Sequence, residues 1–212
     1  MIRHNYPGLF ITFEGLDGAG SSSQVERLKK SLNELGYRAL DTKEPTNNIV
    51  GGLIRGILTK QWSLPPEGFQ LLFAADRSHH LIHSVIPQLE KGHIIISDRY
   101  AFSSIAFGAL ELNQVWLKCI NDKFILPDLT ILLKVAPETC IERIGKSRAH
   151  FELFEEVKKL KKVWRNYEKL AADKANKIII VNGERTKDEV EAQVLAITRS
   201  LLSRKFPSNE IK

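Results

Sequence analysis

The chain has 212 residues, a formal net charge of +6 at pH 7 and two cysteines, Cys119 and Cys140. This length suits a single domain over 1–212, whose core is stable without metal or disulfide staples. The cysteines lie in separate segments without CxxC or histidine-partnered spacing, which argues against a redox or metal motif. Because no signal pattern opens the chain and no apolar run nears the roughly 20 residues that span a bilayer, we expect a cytoplasmic protein without a membrane partner.

The excess of positive charge raises the question of nucleic-acid binding. Four lysines fall in one helical stretch, 158–162, which is typical of a solvated helix face. Strands with interleaved aromatics and arginines are missing from the sequence pattern, as is a recognition-helix motif. We therefore expect small anionic substrates and no nucleic acid.

Strand-like runs alternate with helical patterns along the chain. The runs are 9–13, 37–40, 93–97, 129–135 and 177–181. This alternation predicts an α/β fold with a five-stranded parallel sheet and helices on both faces. In the helical segment 153–171, apolar residues recur at steps of three and four, so Trp164 is expected in the core. Ligands of such sheets bind beyond the carboxyl ends of the strands, where polar residues cluster in this sequence.

A glycine-rich loop over 14–23 follows the first run and matches the phosphate-binding P-loop GxxxxGK[ST], with Ser21 at the position of the lysine. Its glycines let backbone N–H groups turn toward a phosphate, and the next helix presents its positive end. Because the ammonium that reaches the β and γ phosphates is missing, another group must supply its charge. The predicted phosphate-binding residues are Gly15, Asp17, Gly18, Ala19, Gly20, Ser21, Ser22 and Ser23.

Asp98 and Arg99 directly follow the third run. A carboxylate at this place holds magnesium in P-loop enzymes, so Asp98 and Ser22 are the candidate metal ligands. The planar guanidinium of Arg99 suits phosphate oxygens and relieves the repulsion between phosphoryl donor and acceptor. A surface ion pair is the alternative interpretation of these two residues.

Three histidines, His79, His80 and His83, lie together on one helical run. They lack metal-ligand spacing to acidic partners. We expect them to pack or to face solvent, rather than to act in catalysis.

Several segments, in this order, resemble the motifs of thymidylate kinases. They are 13–20, 72–77, 98–104 and 127–130, and 167–171 and 181–183 agree with them. The resemblance implies the P-loop nucleoside-monophosphate-kinase fold, with a lid segment. It also implies Mg²⁺-dependent phosphoryl transfer from ATP to dTMP, giving ADP and dTDP for dTTP biosynthesis. A homodimer formed through helices such as the one containing 69–86 is implied as well.

The resemblance assigns roles around the thymine base of dTMP. Phe73 would stack on the base, and Arg77 would bond its O4. Ser103 and Ser104 are candidates for the remaining base edge. Taken without the motifs, Phe73 is equally compatible with a place in the core.

Further roles follow from the resemblance for the sugar, the phosphates and the adenine. Asp17 would bond the sugar 3′-hydroxyl, and Arg99 would hold the dTMP phosphate. Phe107, which without the motifs would equally suit the core, would crowd the sugar 2′ position. Glu44 and Pro45 match the Glu-Pro of the family after the second run, with Lys43 where arginine is common. The predicted list is completed by Pro45 on the dTMP side and by Asn182, Gly183 and Arg185 on the adenine side.

The replacement for the missing lysine is expected in a lid over about 143–155. Family members with glycine at the position of Gly18 usually carry their catalytic arginine there. Arg148 is the first candidate, with Lys146 and Arg143 behind it. Closure of such a lid would exclude water and limit ATP hydrolysis. Solvated loop charges are the alternative.

Two other functions stay open at this point. Without its lysine, the chain could be a nucleotide-binding protein of the same fold with little transferase activity. It could also be a kinase of another nucleoside monophosphate, if Arg77 and the paired serines read a different base edge.

Overall fold

A parallel sheet forms the centre of the molecule. The structure, a computed structural model, describes residues 1–147, 153–154 and 156–206. The strands are β1 (Leu9–Gly15), β2 (Ala39–Lys43), β3 (Ile94–Asp98), β4 (Leu129–Lys134) and β5 (Ile178–Asn182). They lie in the order β2-β3-β1-β4-β5, and all neighbours pair in parallel. The predicted five-stranded parallel sheet is confirmed.

The helices connect the strands. They are α1 (Ser21–Glu34), α2 (Ile49–Leu58), α3 (Pro66–His80), α4 (Ile86–Glu90), α5 (Ala101–Gly108), α6 (Gln114–Asn121), α7 (Pro137–Ser147), α8 (Val157–Ala172) and α9 (Lys187–Lys205). A π-helical turn, Leu81–Val85, joins α3 to α4, so the helical run expected over 69–86 is continuous. No helix within the described ranges is long and apolar enough to cross a membrane.

Helices cover both faces of the sheet because side chains alternate along each strand. Leu9 and Ile11 pack in one cluster with Val25 of α1, whereas Phe10 packs in another with Leu81 and Leu89. All seven residues of the central strand β1 are buried. The carboxyl end of β1 is therefore held on both sides by its neighbours and on both faces by helices.

Two sequence expectations differ from the structure. The second strand begins at Ala39 rather than at 37, since its pairing with β3 starts at Ala39 and Ile94. Helix α8 begins at Val157 rather than at 153, and its buried residues are Leu160, Val163, Tyr167 and Leu170. Trp164 lies at the edge of this face, half-buried against the core, with the Lys134 Nζ 5.9 Å from its ring centre.

The two cysteines are free. Cys119 is exposed and Cys140 is buried. Burial is the main cause that raises the pKa of the Cys140 thiol to about 12. Because the thiolate is the reactive form, Cys140 is chemically inert and serves packing.

Candidate active site

A cavity of about 290 Å³ opens at the carboxyl ends of β1, β2 and β3. Its walls come from these strand ends and from α2, α3 and α5. The structure brings the following residues of the sequence-predicted site together around it: Asp17, Pro45, Phe73, Arg77, Asp98, Arg99, Ser103, Ser104 and Phe107. Lys43 and Glu44 line it as well.

The glycine-rich loop leads from β1 into α1, which begins at Ser21. Gly18 and Gly20 have left-handed backbones, with φ of 83° and 95°. A Cβ at Gly18 would also lie 2.5 Å from the Cys140 carbonyl oxygen, so only glycine fits there. The first-turn N–H groups of α1, at Ser21–Ser23, have no acceptor within the helix and carry its positive end. This arrangement suits an anionic phosphate.

Ser22 and Asp98 meet where β1 and β3 end side by side. The Ser22 hydroxyl donates a short hydrogen bond to Oδ2 of Asp98. Oδ1 of Asp98 is buried and has no hydrogen-bond partner among the described residues. A hydroxyl beside a carboxylate with a free oxygen is a donor set of the kind that magnesium prefers. These two residues therefore fit the metal ion that the sequence predicts.

Arg99 lies between the loop and the cavity. Its φ is 71°, which is unusual for a side-chain-bearing residue, and its backbone is held by Phe13 and Ser97. Its guanidinium donates to the Gly15 carbonyl and to the Ser103 hydroxyl, both at 3.0 Å, and forms an ion pair with Asp17. Burial lowers the pKa of Arg99, but Asp17 and other acidic groups outweigh it, so the pKa is raised and the group stays charged.

Glu14, near the end of β1, is a fully buried carboxylate to which the sequence analysis gave no role. It accepts hydrogen bonds from the backbone N–H groups of Tyr100 and Ser103, at 3.0 and 3.2 Å, and from the Tyr167 hydroxyl at 2.9 Å. The Ser103 hydroxyl also donates to it. Glu14 thereby caps the start of α5, where the N-cap residue supplies no side-chain acceptor.

The protonation of Glu14 falls near neutral pH. Burial raises its pKa from 4.5 to about 7, against the opposing effect of its hydrogen bonds and of Arg99. Between these two pH values the folded state binds more protons than the unfolded chain. The free energy of unfolding therefore falls as the pH rises through this window.

Replacing Glu14 by glutamine should remove this pH dependence. Glutamine keeps the shape and the acceptor oxygen but cannot ionise. As the pH rises from 5 to 8, the free energy of unfolding of the natural protein should fall by about 2 to 3 kcal/mol relative to that of Glu14→Gln. Urea unfolding at several pH values measures this difference. Glu168→Gln, an exposed change on α8, is the matched control. A stability difference that does not vary with pH would contradict the prediction.

Arg77 and Ser104 form the inner wall of the cavity. The Arg77 side chain is 1% exposed. It donates to Glu44 Oε2 at 2.8 Å, to the Ser104 hydroxyl at 3.0 Å and to Asn121. The other oxygen of Glu44 lies 3.0 Å from the ring of His80. The orientation of Arg77 is thus fixed by a buried network.

The three histidines separate into two environments. His79 and His83 are exposed, as expected for surface positions. His80 is buried and bonded to Glu44 and to the Thr42 hydroxyl, so it is packed with a polar partner on each side. The sequence analysis missed this link because His80 and Glu44 are far apart along the chain.

Aromatic rings form the remaining walls. Phe73 is half-buried, and its ring centre lies 5.0 Å from that of Phe69. Phe107 is 8% exposed and packs edge-on against Phe154 and Tyr167. Phe107 therefore belongs to the core and to the cavity wall at once.

Two further residues of the cavity wall were not singled out by the sequence analysis. Arg55 of α2 and Gln70 of α3 line the cavity. Arg55 also donates to the Thr46 carbonyl. The signal for Arg55 is its place as the lone charged residue of an apolar helix, Ile49–Leu58. Nothing in the sequence distinguishes Gln70.

The adenine-side loop lies against the glycine-rich loop. Gly183 donates to the Lys134 carbonyl at 2.8 Å, and a Cβ there would meet Val135 at 2.6 Å. The same Cβ would lie 3.6 Å from the Ala19 carbonyl oxygen. Asn182 and Arg185, on either side of it, are exposed.

The predicted lid is described only in part. Helix α7 extends to Ser147 and includes its first residues. Arg143 donates to the Gly183 carbonyl at 3.3 Å, while Lys146 pairs with Glu142 and is 73% exposed. Neither lines the cavity. Arg148 lies outside the described residues.

Comparison with known proteins gives consistent matches. A family model described as thymidylate kinase matches residues 13–194. A probable thymidylate kinase of Pyrococcus abyssi is 37% identical over 199 residues, which cover 91% of this chain and 96% of the relative. The thymidylate kinase of Leifsonia xyli subsp. xyli is 37% identical over 201 residues, covering 91% and 95%. A probable thymidylate kinase of Methanosarcina barkeri is 34% identical over 205 residues, covering 93% and 98%.

Proposed function

Because the chain belongs to the thymidylate kinase family, a family of ATP-dependent nucleoside monophosphate kinases, we propose that it transfers the γ-phosphoryl group of ATP to dTMP in the cavity described above. The products are ADP and dTDP, a step toward dTTP. One observation carries this proposal: the buried, fixed Arg77 and Asp17 of the glycine-rich loop line the same cavity. A protein that only binds ATP has no use for a second base-binding wall, with Phe73 and Arg77, in this cavity.

The thymine base of dTMP lies between Phe73 and the inner wall. Stacking on an aromatic face contributes about 1–3 kcal/mol per base. Arg77 donates to O4, and its network with Glu44 and Ser104 supports this role because it holds the guanidinium in place. Ser103 and Ser104 meet the remaining base edge.

The sugar and the phosphate of dTMP lie toward the strand ends. Asp17 bonds the 3′-hydroxyl, while Phe107 and Pro45 enclose the sugar. Arg99 holds the phosphate, and its fixed, charged guanidinium supports that role. Arg55, which lines the same cavity, adds a second cation for this phosphate.

The donor side uses the glycine-rich loop. Backbone N–H groups at the start of α1 hold the phosphates of ATP, and Asn182, Gly183 and Arg185 flank the adenine. An oxygen of the dTMP phosphate attacks the γ-phosphorus, and the bond from that phosphorus to the β-phosphate oxygen breaks. Because the nucleophile is already an anion, no general base is required. Alignment and neutralisation of charge produce the rate.

The charge that lysine normally supplies comes from arginines. Arg99 contacts the acceptor phosphate from within the described site. Arg148 supplies positive charge from the lid, with Lys146 and Arg143 as the further cations of that segment. Closure of the lid, approximately 143–155, excludes water from the transfer.

Ser22 and the free carboxylate oxygen of Asp98 are the residues that would hold a magnesium ion. Such an ion would supply positive charge that neutralises the β and γ phosphates. Asp98→Asn should raise the Mg²⁺ concentration at half-maximal rate by about tenfold or more, because the amide removes the charge but keeps the shape. Rate measurements over a Mg²⁺ titration test this. Asp41→Asn, at an exposed ion pair with Lys29, is the control. An unchanged Mg²⁺ dependence in Asp98→Asn would argue against this metal site.

The proposed reaction is tested by ADP release with ATP and Mg²⁺, comparing dTMP, dUMP, dCMP and dGMP as acceptors. ATP hydrolysis without acceptor is the control. We expect turnover that depends on an acceptor and is fastest with dTMP. Binding of ATP and dTMP without turnover would indicate a non-catalytic protein, and a faster rate with another acceptor would indicate a different monophosphate kinase.

The enzyme acts as a homodimer in the cytoplasm, where ATP and dTMP are present. The helical run from α3 to α4 supports a dimer, because Leu71 and Ile82 expose 50% and 60% of their surface. Ile49 of the neighbouring helix α2 is 87% exposed. Exposed apolar residues on adjacent helices are typical of a surface that binds another protein.

A further inference from the structure

Gln70 is a buried amide in the wall between the acceptor pocket and a second cavity of about 370 Å³, and it lines both. Its exposure is 4%, yet its Oε1 has no hydrogen-bond partner among the described residues. It lies on the same face of α3 as Phe73 and Arg77, three and seven residues further along the helix. A buried polar atom is normally paired, and an unpaired one beside a pocket indicates a bond that a ligand completes.

The chemistry of the pocket defines which ligand atom is missing. Phe73 offers a ring face, and Arg77 offers donors only, which suit a carbonyl oxygen. Both oxygens of Glu44 are engaged, by Arg77 and by His80. The Watson–Crick edge of thymine has one donor, N3–H, between the acceptors O2 and O4. That donor requires an acceptor, and Gln70 Oε1 is one that no protein group occupies.

We propose that Gln70 is a specificity-determining residue that accepts the N3–H of the thymine base. This inference rests on the proposed reaction and identifies Gln70 as the residue that binds the one hydrogen-bond donor of the base. Its amide NH₂ group can bond an adjacent carbonyl of the base at the same time. Arg77 and Gln70 together then recognise the donor and acceptor pattern of an imide edge, which cytosine lacks.

Gly108 on α5 makes room for this side chain. A Cβ at Gly108 would lie 3.1 Å from Cδ of Gln70 and 2.8 Å from Cδ2 of Leu117. Any side chain at this position would therefore displace the amide. Gly108 on α5 therefore allows the amide of Gln70 on α3 to occupy its observed position.

The test compares dTMP with 3-deazathymidine 5′-monophosphate, a 4-hydroxy-2-pyridone nucleotide of similar shape, which has C–H in place of N3–H and a hydroxyl in place of the O4 carbonyl. The change at O4 acts on the natural protein and on a Gln70 variant alike, so the difference between the two proteins reports the contribution of N3–H. The natural protein should prefer dTMP by about 10²-fold or more in kcat/KM. Gln70→Leu, which keeps the volume but removes the amide, should lose most of this preference. Its kcat/KM should fall for dTMP and change within about threefold for the analogue. A preference of the same size in Gln70→Leu and in the natural protein would overturn the proposal.

Two further measurements keep the test decisive. Thermal unfolding shows whether Gln70→Leu is folded, and Gln70→Met serves as a second variant of similar length if it is not. Calorimetric binding of dTMP and of the analogue is measured without ATP. If the natural protein binds dTMP in preference to the analogue, Gln70→Leu loses this preference, and the natural protein does not phosphorylate dTMP, the proposed reaction fails while the role of Gln70 stands. If binding does not distinguish the two compounds, the role of Gln70 fails.

Discussion

Arg99→Lys should lower kcat for dTMP phosphorylation by about 10²- to 10³-fold, the loss typical of removing one preorganised group that stabilises charge in the transition state. The guanidinium of Arg99 contacts Gly15, Asp17 and Ser103 at the same time. Lysine keeps the charge but offers a single nitrogen, so it cannot make these bonds and also pair with phosphate oxygens. Steady-state rates at saturating ATP and dTMP measure the effect.

The control for Arg99→Lys is Arg38→Lys, at an exposed position before β2. Both variants should unfold at temperatures close to that of the natural protein, because lysine retains the positive charge near Asp17. The role of Arg99 would be refuted if its lysine variant kept kcat within threefold of the natural value. A large rise in KM for dTMP with unchanged kcat would instead indicate ground-state binding alone.

Arg148→Ala should reduce kcat by about 10²-fold or more, because it removes the cation that we propose in place of the P-loop lysine. The same change should cost less than tenfold once Ser21→Lys has restored an ammonium at the start of α1. The two substitutions would then be strongly coupled, since both supply charge to the same phosphates. A cycle of the natural protein, both single variants and the double variant measures this coupling.

Arg199→Ala, at an exposed site on α9, is the matched control for that cycle. Equal losses from Arg148→Ala in both backgrounds would mean that Arg148 acts independently of the position of Ser21. An unchanged rate in the Arg148 variant would remove it from the mechanism and leave Arg99 as the main source of charge. Each result therefore identifies a different source of the positive charge that a P-loop lysine would supply.

The sheet was predictable because its central strands are short apolar runs bounded by polar residues. Ile94–Asp98 and Leu129–Lys134 lie within one residue of their predicted bounds for this reason. β2 was less accurately predicted because it is an edge strand in which Leu40 and Thr42 are only half-buried and Asp41 and Lys43 alternate with them. The sequence therefore has no apolar run that marks where β2 begins or ends. The start of α8 was missed because Leu153 continues the helical spacing of apolar residues while lying before the helix.

The strand-end residues of the site could be predicted because each follows a recognisable run or motif. Glu14, Gln70 and His80 could not, since their roles come from contacts between distant elements. Glu14 lies in a strand whose other residues are mostly apolar, and only the structure shows that α5 and α8 supply its hydrogen bonds. Gln70 becomes informative only when its Oε1 is known to be buried and unpaired among the described residues.

The position of β1 also bears on which parts of the protein unfold locally by thermal motion. This strand is central in the sheet, is buried along its whole length and pairs with β3 and β4. Backbone amides in such a strand exchange with solvent only in the rarest openings of a fold. The glycine-rich loop, where we propose that the phosphates of ATP bind, is therefore attached to the most persistent unit of the protein. Helices at the periphery can fray, and substrates can enter and leave, without loss of the scaffold that aligns phosphoryl donor and acceptor.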